Sequence, residues 1–268
     1  STPASLTPFP ANALLYRKGY VQEAPVVVRE HRPLEAMHHR KAPLLTEESG
    51  FDPNRDTRDQ SASSQGTKVT PLAYLTGKVR VSYGSDQNDF TAPKLNDWID
   101  YDAKRIQSAT GELTWDYGNG QCLLDAPAAQ GVAGFLTADN GTFRTQDLVI
   151  QSGNEYATIL TVSMDELPLA STRKALVQVN TLYELTGFEE QAATYQLGKE
   201  EVKGYEILKT GRLPWKAAAT DVTLTINNPN LSTAILLDEN GYAVRELATR
   251  RVSEGLQVIL PENALYVV

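Results

Sequence analysis

The stretch GELTWDYGNGQCLLDAPAAQGVAGFL, residues 111–136, alternates apolar and polar residues, most clearly at Leu113, Trp115 and Tyr117. Alternation with a period of two is typical of a β-strand that buries one face. The Asn119-Gly120 pair that follows favours the tight turn of a β-hairpin. Similar runs continue at strand-plus-turn spacing, so the sequence predicts an all-β fold built as an antiparallel β-sandwich.

The last third of the chain repeats this pattern. Asn240-Gly241 lies between the runs AILLDE and AVREL and predicts another hairpin. No segment of useful length there has a helical period, which argues against a parallel α/β sheet. We expect residues 76–190 to form a β-sandwich, and residues 191–268 to form a second β-rich subdomain or to complete the same sandwich.

Residues 1–75 are irregular and rich in proline, so we expect an extended N-terminal arm or linker. Within it, NALLYRKGYVQ (12–22) and APVVVREH (24–31) predict short strands. The run PLEAMHHRKAPLLTEES (33–49) begins with proline and predicts one short helix. Residues 50–68 contain mostly Asp, Asn, Ser, Gly and Pro, which predicts a long loop that binds a ligand or straps another surface.

The charge balance limits the classes of partner. The net charge is −8 and the pI is about 5.0. A basic stripe for nucleic acid is absent, and an acidic surface is repelled by anionic membranes. A neutral polysaccharide is not repelled by this negative charge. The chain has neither an 18-residue apolar run, which a membrane span would need, nor a signal-peptide pattern. We expect either a mature protein or an excised fragment, and the absence of an initial Met favours the fragment.

The single cysteine, Cys122, cannot form an intramolecular disulfide. It lies in the apolar run QCLLDA, so we expect a buried, inert thiol. The three histidines, His31, His38 and His39, lie in a distant segment, which argues against a Cys–His nucleophile. His38 and His39 are adjacent, and adjacent side chains diverge on a helix, so we expect no zinc site.

Asp52, Asn54 and Asp56 occupy alternate positions, as the first oxygen ligands of a calcium loop do. The glycine expected at the sixth position is Thr57, and the glutamate expected at the twelfth is Ser63. We therefore expect no cofactor and a capped polar turn, with calcium as the alternative.

Paired carboxylates are the usual machinery of glycosidases. Asp116, Asp125, Asp165 and Glu166 are the candidates, but sequence does not show that any two converge, so we expect turn and strand-edge charges. The motifs G-x-S-x-G, G-x-G-x-x-G and the P-loop do not occur. We assign no catalytic residue.

Sugar rings stack on exposed aromatic faces, so three aromatic residues are predicted to bind carbohydrate. Trp98 and Tyr101 lie in the polar stretch NDWIDYD, and Trp215 follows Pro214. The alternative is that they pack a loop onto the sandwich or face another domain. Trp115 alternates with apolar neighbours and is predicted to belong to the core.

A family resemblance rests on three runs: TGELTWDYGNGQCLLDAPAAQGVAGF (110–135), NEYAT (154–158) and SMDELPLASTRKALVQ (163–178). With the tail LLDENGYAVREL…ALYVV, they resemble the C-terminal β-sandwich region of large bacterial glycoside-hydrolase-like proteins. In those proteins a β-galactosidase- or cellulase-like (β/α)₈ barrel precedes the sandwich. The start ANALLYRKGYVQEAPVV resembles the chain leaving the barrel.

The resemblance implies that the catalytic carboxylates lie on the barrel, for which this chain has no room. We therefore expect a non-catalytic, carbohydrate-binding ancillary module of a secreted bacterial polysaccharide-degrading enzyme, extracellular or periplasmic. Its partners would be a polysaccharide or oligosaccharide and the upstream catalytic domain. One alternative is a self-sufficient glycoside hydrolase or lyase. Another is a purely structural domain that docks on the barrel.

Overall fold

The computed structural model describes residues 3–41, 52–56, 69–84, 89–91, 95–137, 140–197 and 200–268. The helices in these ranges are α1 (Pro3–Leu6), α2 (Phe9–Lys18), α3 (Leu34–His38), α4 (Pro53–Asp56) and α5 (Ala73–Thr76), with a 3₁₀ turn at Leu95–Asp97. The strands are β1 (Val26–Pro33), β2 (Lys78–Gly84), β3 (Asp89–Thr91), β4 (Ile99–Asp100), β5 (Arg105–Gln107), β6 (Leu113–Asp116), β7 (Gln121–Ala126), β8 (Ala129–Phe135), β9 (Thr142–Arg144), β10 (Leu148–Ser152), β11 (Tyr156–Ser163), β12 (Ala175–Asn180), β13 (Tyr183–Leu197), β14 (Glu200–Ala217), β15 (Val222–Ile226), β16 (Ala234–Leu237), β17 (Ala243–Leu247), β18 (Thr249–Val252), β19 (Gly255–Ile259) and β20 (Tyr266–Val267).

Two antiparallel sheets pack face to face. One has ten strands in the order β17-β16-β20-β12-β11-β8-β7-β6-β5-β4, and the other has five in the order β18-β19-β15-β10-β9. Between them, Ile159 and Val179 of the larger sheet meet Ile150 and Leu224 of the smaller one in a buried core. The predicted all-β sandwich with an N-terminal arm is confirmed.

Strands from distant parts of the chain share both sheets. β10 pairs with β15, and the short β20 joins β12 to β16. The buried core between the sheets likewise contains residues from β8 through β20. The two β-rich stretches of the sequence therefore form one continuous core.

A buried side-chain amide links the two sheets. Gln130 of β8 donates from Nε2 to Oδ2 of Asp147, 2.9 Å away, in the turn before β10. Its Oε1 accepts from the Asp147 backbone N–H at 2.9 Å and from the Thr145 hydroxyl at 2.7 Å. Every polar atom of this buried amide therefore has a partner, as interior polar groups require.

The strand predicted for residues 12–22 is wrong, because this segment contains most of helix α2. Pro10 stands in the first turn, where its missing N–H costs nothing, and Gly19 ends the helix in the left-handed conformation at φ 62°. Ala11 is fully buried, and Leu14 and Leu15 pack beside it. Ala11, Leu14 and Leu15 lie on one side of the helix, as the 3.6-residue period requires, and that side packs on the outer face of the larger sheet.

Helix α2 crosses the outer face of the ten-stranded sheet and is held there by Gln178 of β12. Gln178 Oε1 accepts from the Ala11 backbone N–H, and its Nε2 donates to the Pro8 carbonyl, both at 3.0 Å. The side chain is only 1% exposed. It gives the Ala11 N–H a partner that the first helical turn does not supply, and it adds a second donor to the Pro8 carbonyl, which also accepts from the Asn12 N–H at 3.3 Å.

Further polar contacts fasten the arm at both ends of α2. Before the helix, the Thr7 carbonyl accepts a hydrogen bond from the Tyr266 hydroxyl at 2.9 Å. The Thr7 hydroxyl accepts one from the side-chain amide of Asn180. After the helix, the Tyr20 hydroxyl donates to the Ser163 carbonyl at 2.9 Å. Residues 3–20 are thus packed against the sandwich.

Beyond α2 the arm continues into a small sheet of three strands in the order β2-β1-β3. Its strand β1 confirms the strand predicted for residues 24–31. Of the helix predicted for residues 33–49, the structure shows α3 at Leu34–His38, and residues 42–51 lie outside the described ranges. Most of the predicted loop at 50–68 also lies outside them.

A long hairpin, β13–β14, pairs with no other strand among the described residues. Its base lies beside the arm, where the hydroxyls of Tyr183 and Thr7 are 3.1 Å apart. Farther along, Tyr205 and Ile207 are exposed.

Gln178→Leu is expected to reduce the free energy of unfolding by about 1–3 kcal/mol, because the Ala11 N–H would stay buried without a partner. Urea unfolding followed by tryptophan fluorescence measures this loss, and amide hydrogen exchange should show α2 opening first. Gln191→Leu is the matched control, because Gln191 is an exposed hairpin residue. Equal stability of the two variants would contradict the role of Gln178.

Candidate functional site

One row of side chains crosses the outer face of the larger sheet beside helix α2. The register of four strand pairs aligns its members: Trp115, Cys122, Ala133, Thr158 and Asn180. We call this row the outer-face strip. It spans four strand spacings, about 19 Å.

The neighbouring row on the same face is covered by helix α2. It lies two residues along each strand and includes Leu113, Leu124, Leu160 and Gln178. The three leucines pack in the cluster that contains Ala11 of α2. Residues two apart on a strand share a face, so the strip lies beside the covered row and on the same surface.

Within the strip, Trp115, Cys122, Ala133 and Thr158 are half-buried. The central three side chains are small, so a flat ligand could approach the backbone of the sheet closely. Each of the five side chains is uncharged at neutral pH.

Two exposed aromatic rings border the strip on the side opposite α2. Phe135 and Tyr156 face each other across β8 and β11, with ring centroids 5.2 Å apart at an interplanar angle of 75°. Their exposed fractions are 51% and 38%. Edge-to-face geometry stabilises such a pair and leaves ring surface open to solvent.

The Asn-Gly turn of the first hairpin makes room for this border. Gly120 adopts φ +68°, and a Cβ there would lie 2.9 Å from the Phe135 ring. The Phe135 ring therefore leans over the end of β7, where only glycine leaves enough space.

Asn180 closes one end of the strip. Its Nδ2 donates to the Thr7 hydroxyl, while its buried Oδ1 has no hydrogen-bond partner among the described residues. Trp115 closes the other end, where it packs against Leu72, Ile99 and Ile106. This packing agrees with the core position predicted for Trp115, although its ring is not fully buried.

The three aromatic residues predicted to bind carbohydrate do not form one surface. Trp98 is half-buried against Val27, Val28 and Ala73. Tyr101 packs against the cluster that contains Ile99 and Ile106, and burial raises the pKa of its hydroxyl.

Trp215 lies elsewhere, half-buried at the base of the long hairpin and opposite Leu185. The hairpin leaves the sheet after β12, six strands away from β4, beside which Trp98 and Tyr101 lie. Six strand spacings are roughly 29 Å. Binding of carbohydrate by these three residues stays a prediction. The structure does not bring the rings of Trp98, Tyr101 and Trp215 together on one flat surface.

The candidate carboxylates organise turns. Asp116 accepts from Arg105 Nε at 3.1 Å and from the Asn119 backbone N–H at 2.9 Å. Asp125 accepts from the Gln146 backbone N–H at 3.0 Å.

Asp165 organises the loop between β11 and β12. Burial acts to raise the pKa of this carboxyl, but hydrogen bonds from Thr172, the Arg173 backbone and Ser163 outweigh it and lower the pKa to about 2. The carboxylate is therefore stabilised in its charged form as a loop cap.

The suggested calcium loop is seen in part. The Asp52 carboxylate accepts from the Asn54 backbone N–H at 2.8 Å, which is a local polar turn. The ammonium of Lys104 donates to Asn54 Oδ1 at 2.9 Å and so uses an oxygen that calcium would need. Among the described residues, no group of three or more His, Cys, Asp or Glu side chains is placed to hold a metal.

The protein shows no match to any family model, curated protein or solved structure. Within the described ranges, every helix falls short of the length and apolarity needed to span a bilayer.

Phe135 and Tyr156 were not among the residues predicted from sequence. Both lie in the runs that carry the family resemblance, at the end of GVAGF and in NEYAT. Their alternation with small residues signals a strand face. It does not show that the two strands are adjacent, with these rings side by side.

Cys122 is expected to react about 100-fold more slowly with iodoacetamide at pH 8 in the native protein than in the urea-unfolded chain. Burial raises the pKa of this thiol to about 11, so very little of the reactive thiolate is present. Mass spectrometry of the alkylated peptide measures both rates. Equal rates would show that the thiol is as accessible and acidic as in an unfolded chain.

Proposed function

We propose that this protein is a non-catalytic ancillary module of a secreted bacterial polysaccharide-degrading enzyme, and that it binds glycan along the outer-face strip. The observation that carries the proposal is the exposed Phe135–Tyr156 pair bordering a row of small, uncharged side chains. The resemblance to sandwich regions of glycoside-hydrolase-like proteins supports the parent enzyme and its secretion.

The chemistry of the strip suits a neutral sugar chain. The apolar C–H face of a sugar ring can stack on Phe135 or Tyr156, and the Thr158 hydroxyl can exchange hydrogen bonds with sugar hydroxyls. An uncharged strip on a protein of net charge −8 offers no attraction to an anionic polymer. The proposed ligand is therefore a neutral polysaccharide or oligosaccharide.

The length and openness of the strip determine the expected strength of binding. It extends across five strands, so it suits an internal segment of a glycan chain more than a chain end. A shallow, half-exposed surface with two aromatic anchors buries little ligand area, and we expect a dissociation constant on the order of 10⁻⁴ M.

A second function, docking on a catalytic domain, is favoured by the arm. Phe9 and Tyr16 of α2 are 69% and 90% exposed. Both point away from the sheet that the helix covers. Exposed apolar side chains on one surface are typical of contacts with another domain.

The test is retardation of the purified protein in native gels that contain soluble neutral plant and algal polysaccharides, with sugar release assayed in the same mixtures. We expect one glycan to retard the wild type without sugar release. Phe135→Ala and Tyr156→Ala should each remove most of the retardation, because each substitution removes an aromatic ring on which a sugar can stack.

Tyr242→Ala is the matched control, because Tyr242 is an exposed aromatic residue on a different hairpin. Trp98→Ala and Trp215→Ala test the residues predicted from sequence and should retain retardation. If they lose it and Phe135→Ala does not, the strip is the wrong site. No retardation by any glycan would favour the docking function, and release of sugar would show that the protein is an enzyme.

A further inference from the structure

The three-stranded sheet β2-β1-β3 carries two arginines side by side. Strands β1 and β2 run parallel, and Arg29 of β1 lies opposite Arg80 of β2. Paired residues project from the same face of a sheet, and neighbouring strands are about 4.8 Å apart. Because like charges directly opposite each other destabilise a sheet, this pair of cations lacks a reason in the stability of the fold.

A shift of register in β1 creates this pairing. Val26 lies opposite Lys78, but Val28 lies opposite Val79, so β1 has one extra residue at this point. The shift of one residue brings the two arginines opposite each other and onto the same face. Such bulges re-aim side chains and are frequent beside functional sites.

The two guanidinium groups are open to solvent. Arg29 and Arg80 are exposed, while Val28 and Glu30 on the other face of β1 are buried. Among the described residues, neither arginine has an ion-pair partner. Arginine stays protonated in proteins, so this face presents two uncompensated positive charges.

Groups that can donate hydrogen bonds surround the arginines. Thr91 of β3 is exposed and lies opposite Arg29 on the other side of β1. Two residues along β1 and β2, and therefore on the same face, His31 lies opposite the exposed Ser82, with its Nδ1 2.9 Å from the Ser82 hydroxyl. We call these five residues the small-sheet patch.

An acidic residue borders the small-sheet patch. Asp89 of β3 is exposed and lies opposite His31. It forms no ion pair with either arginine. Its single negative charge reduces the attraction for an anion but leaves the two arginines in excess.

We propose that the small-sheet patch binds a single tetrahedral oxyanion group, a phosphate or a sulfate. The planar fork of a guanidinium matches two oxygens of such a group, and two arginines one strand apart can hold one anion between them. The hydroxyls of Ser82 and Thr91 can donate to its remaining oxygens. The net charge of −8 repels a polyanion at long range, so the patch suits one charged group on an otherwise neutral molecule.

The probes are inorganic phosphate and inorganic sulfate, titrated at constant ionic strength and followed by backbone amide shifts in two-dimensional NMR of the whole protein. We expect saturable shifts confined to β1, β2 and β3, with dissociation constants of about 1–10 mM. Arg29→Gln and Arg80→Gln should each weaken binding at least about fivefold, because each removes one of the two charges that hold the anion. The double variant should show no saturation.

Arg245→Gln is the matched control, because Arg245 is exposed on β17 and has no ion-pair partner in the part of the chain that the structure describes. It should bind both anions as the wild type does. Asp89→Asn should strengthen binding about twofold or more, because it removes a negative charge from the same face.

The melting temperature without anion separates lost binding from lost folding. Arg80→Gln should melt at the wild-type temperature or above it, because the substitution removes the repulsion between the two arginines. A variant that is as stable as the wild type and does not bind has lost the site and not the fold.

Glucose 6-phosphate and glucose 6-sulfate distinguish the sources of the anionic group. An ester that binds more tightly than its free ion would assign the patch to that class of sugar ester, and the reverse order would assign it to the free ion. Either order supports the proposal. Equal binding by the wild type and the double variant would overturn it, and so would shifts that spread over the whole surface without saturation.

Discussion

The contact of the Gln178 side chain with the first turn of α2 determines which part of the outer sheet face is covered. Gln178 is buried, and it binds the Ala11 N–H and the Pro8 carbonyl with the two ends of one amide. Because the helix is held at this position, it covers the row that contains Leu113, Leu124 and Leu160. The row two residues farther along each strand stays open and becomes the outer-face strip.

The strands were the most predictable part of the fold, because a strand that buries one face needs local alternation. Leu113, Trp115 and Tyr117 show this pattern in sequence, and the Asn-Gly turn at 119–120 shows where the first hairpin closes. Helix α2 was less predictable. Its run of Leu14, Leu15 and Tyr16 is compatible with a strand or a helix over so few residues. The helix forms because its apolar side chains pack on the outer face of the larger sheet, a contact that the local sequence does not show.

The site was harder to predict than the fold, because it depends on register between strands far apart in sequence. Thr158 lies between Ala133 and Asn180, an arrangement that no local pattern contains. Trp98 and Tyr101 have polar neighbours in sequence, which suggested exposure. Their rings instead pack on apolar clusters built from distant segments, so local polarity was misleading there.

A glycan that occupies the outer-face strip must cover Cys122, which lies in the floor of the strip. The measurement is the rate of alkylation of Cys122, the single cysteine, at pH 8.5 with and without a saturating concentration of the retarding glycan. We predict that the bound glycan slows alkylation several-fold or more, because it covers the thiol. An unchanged rate, with retardation still present, would show that the glycan binds elsewhere.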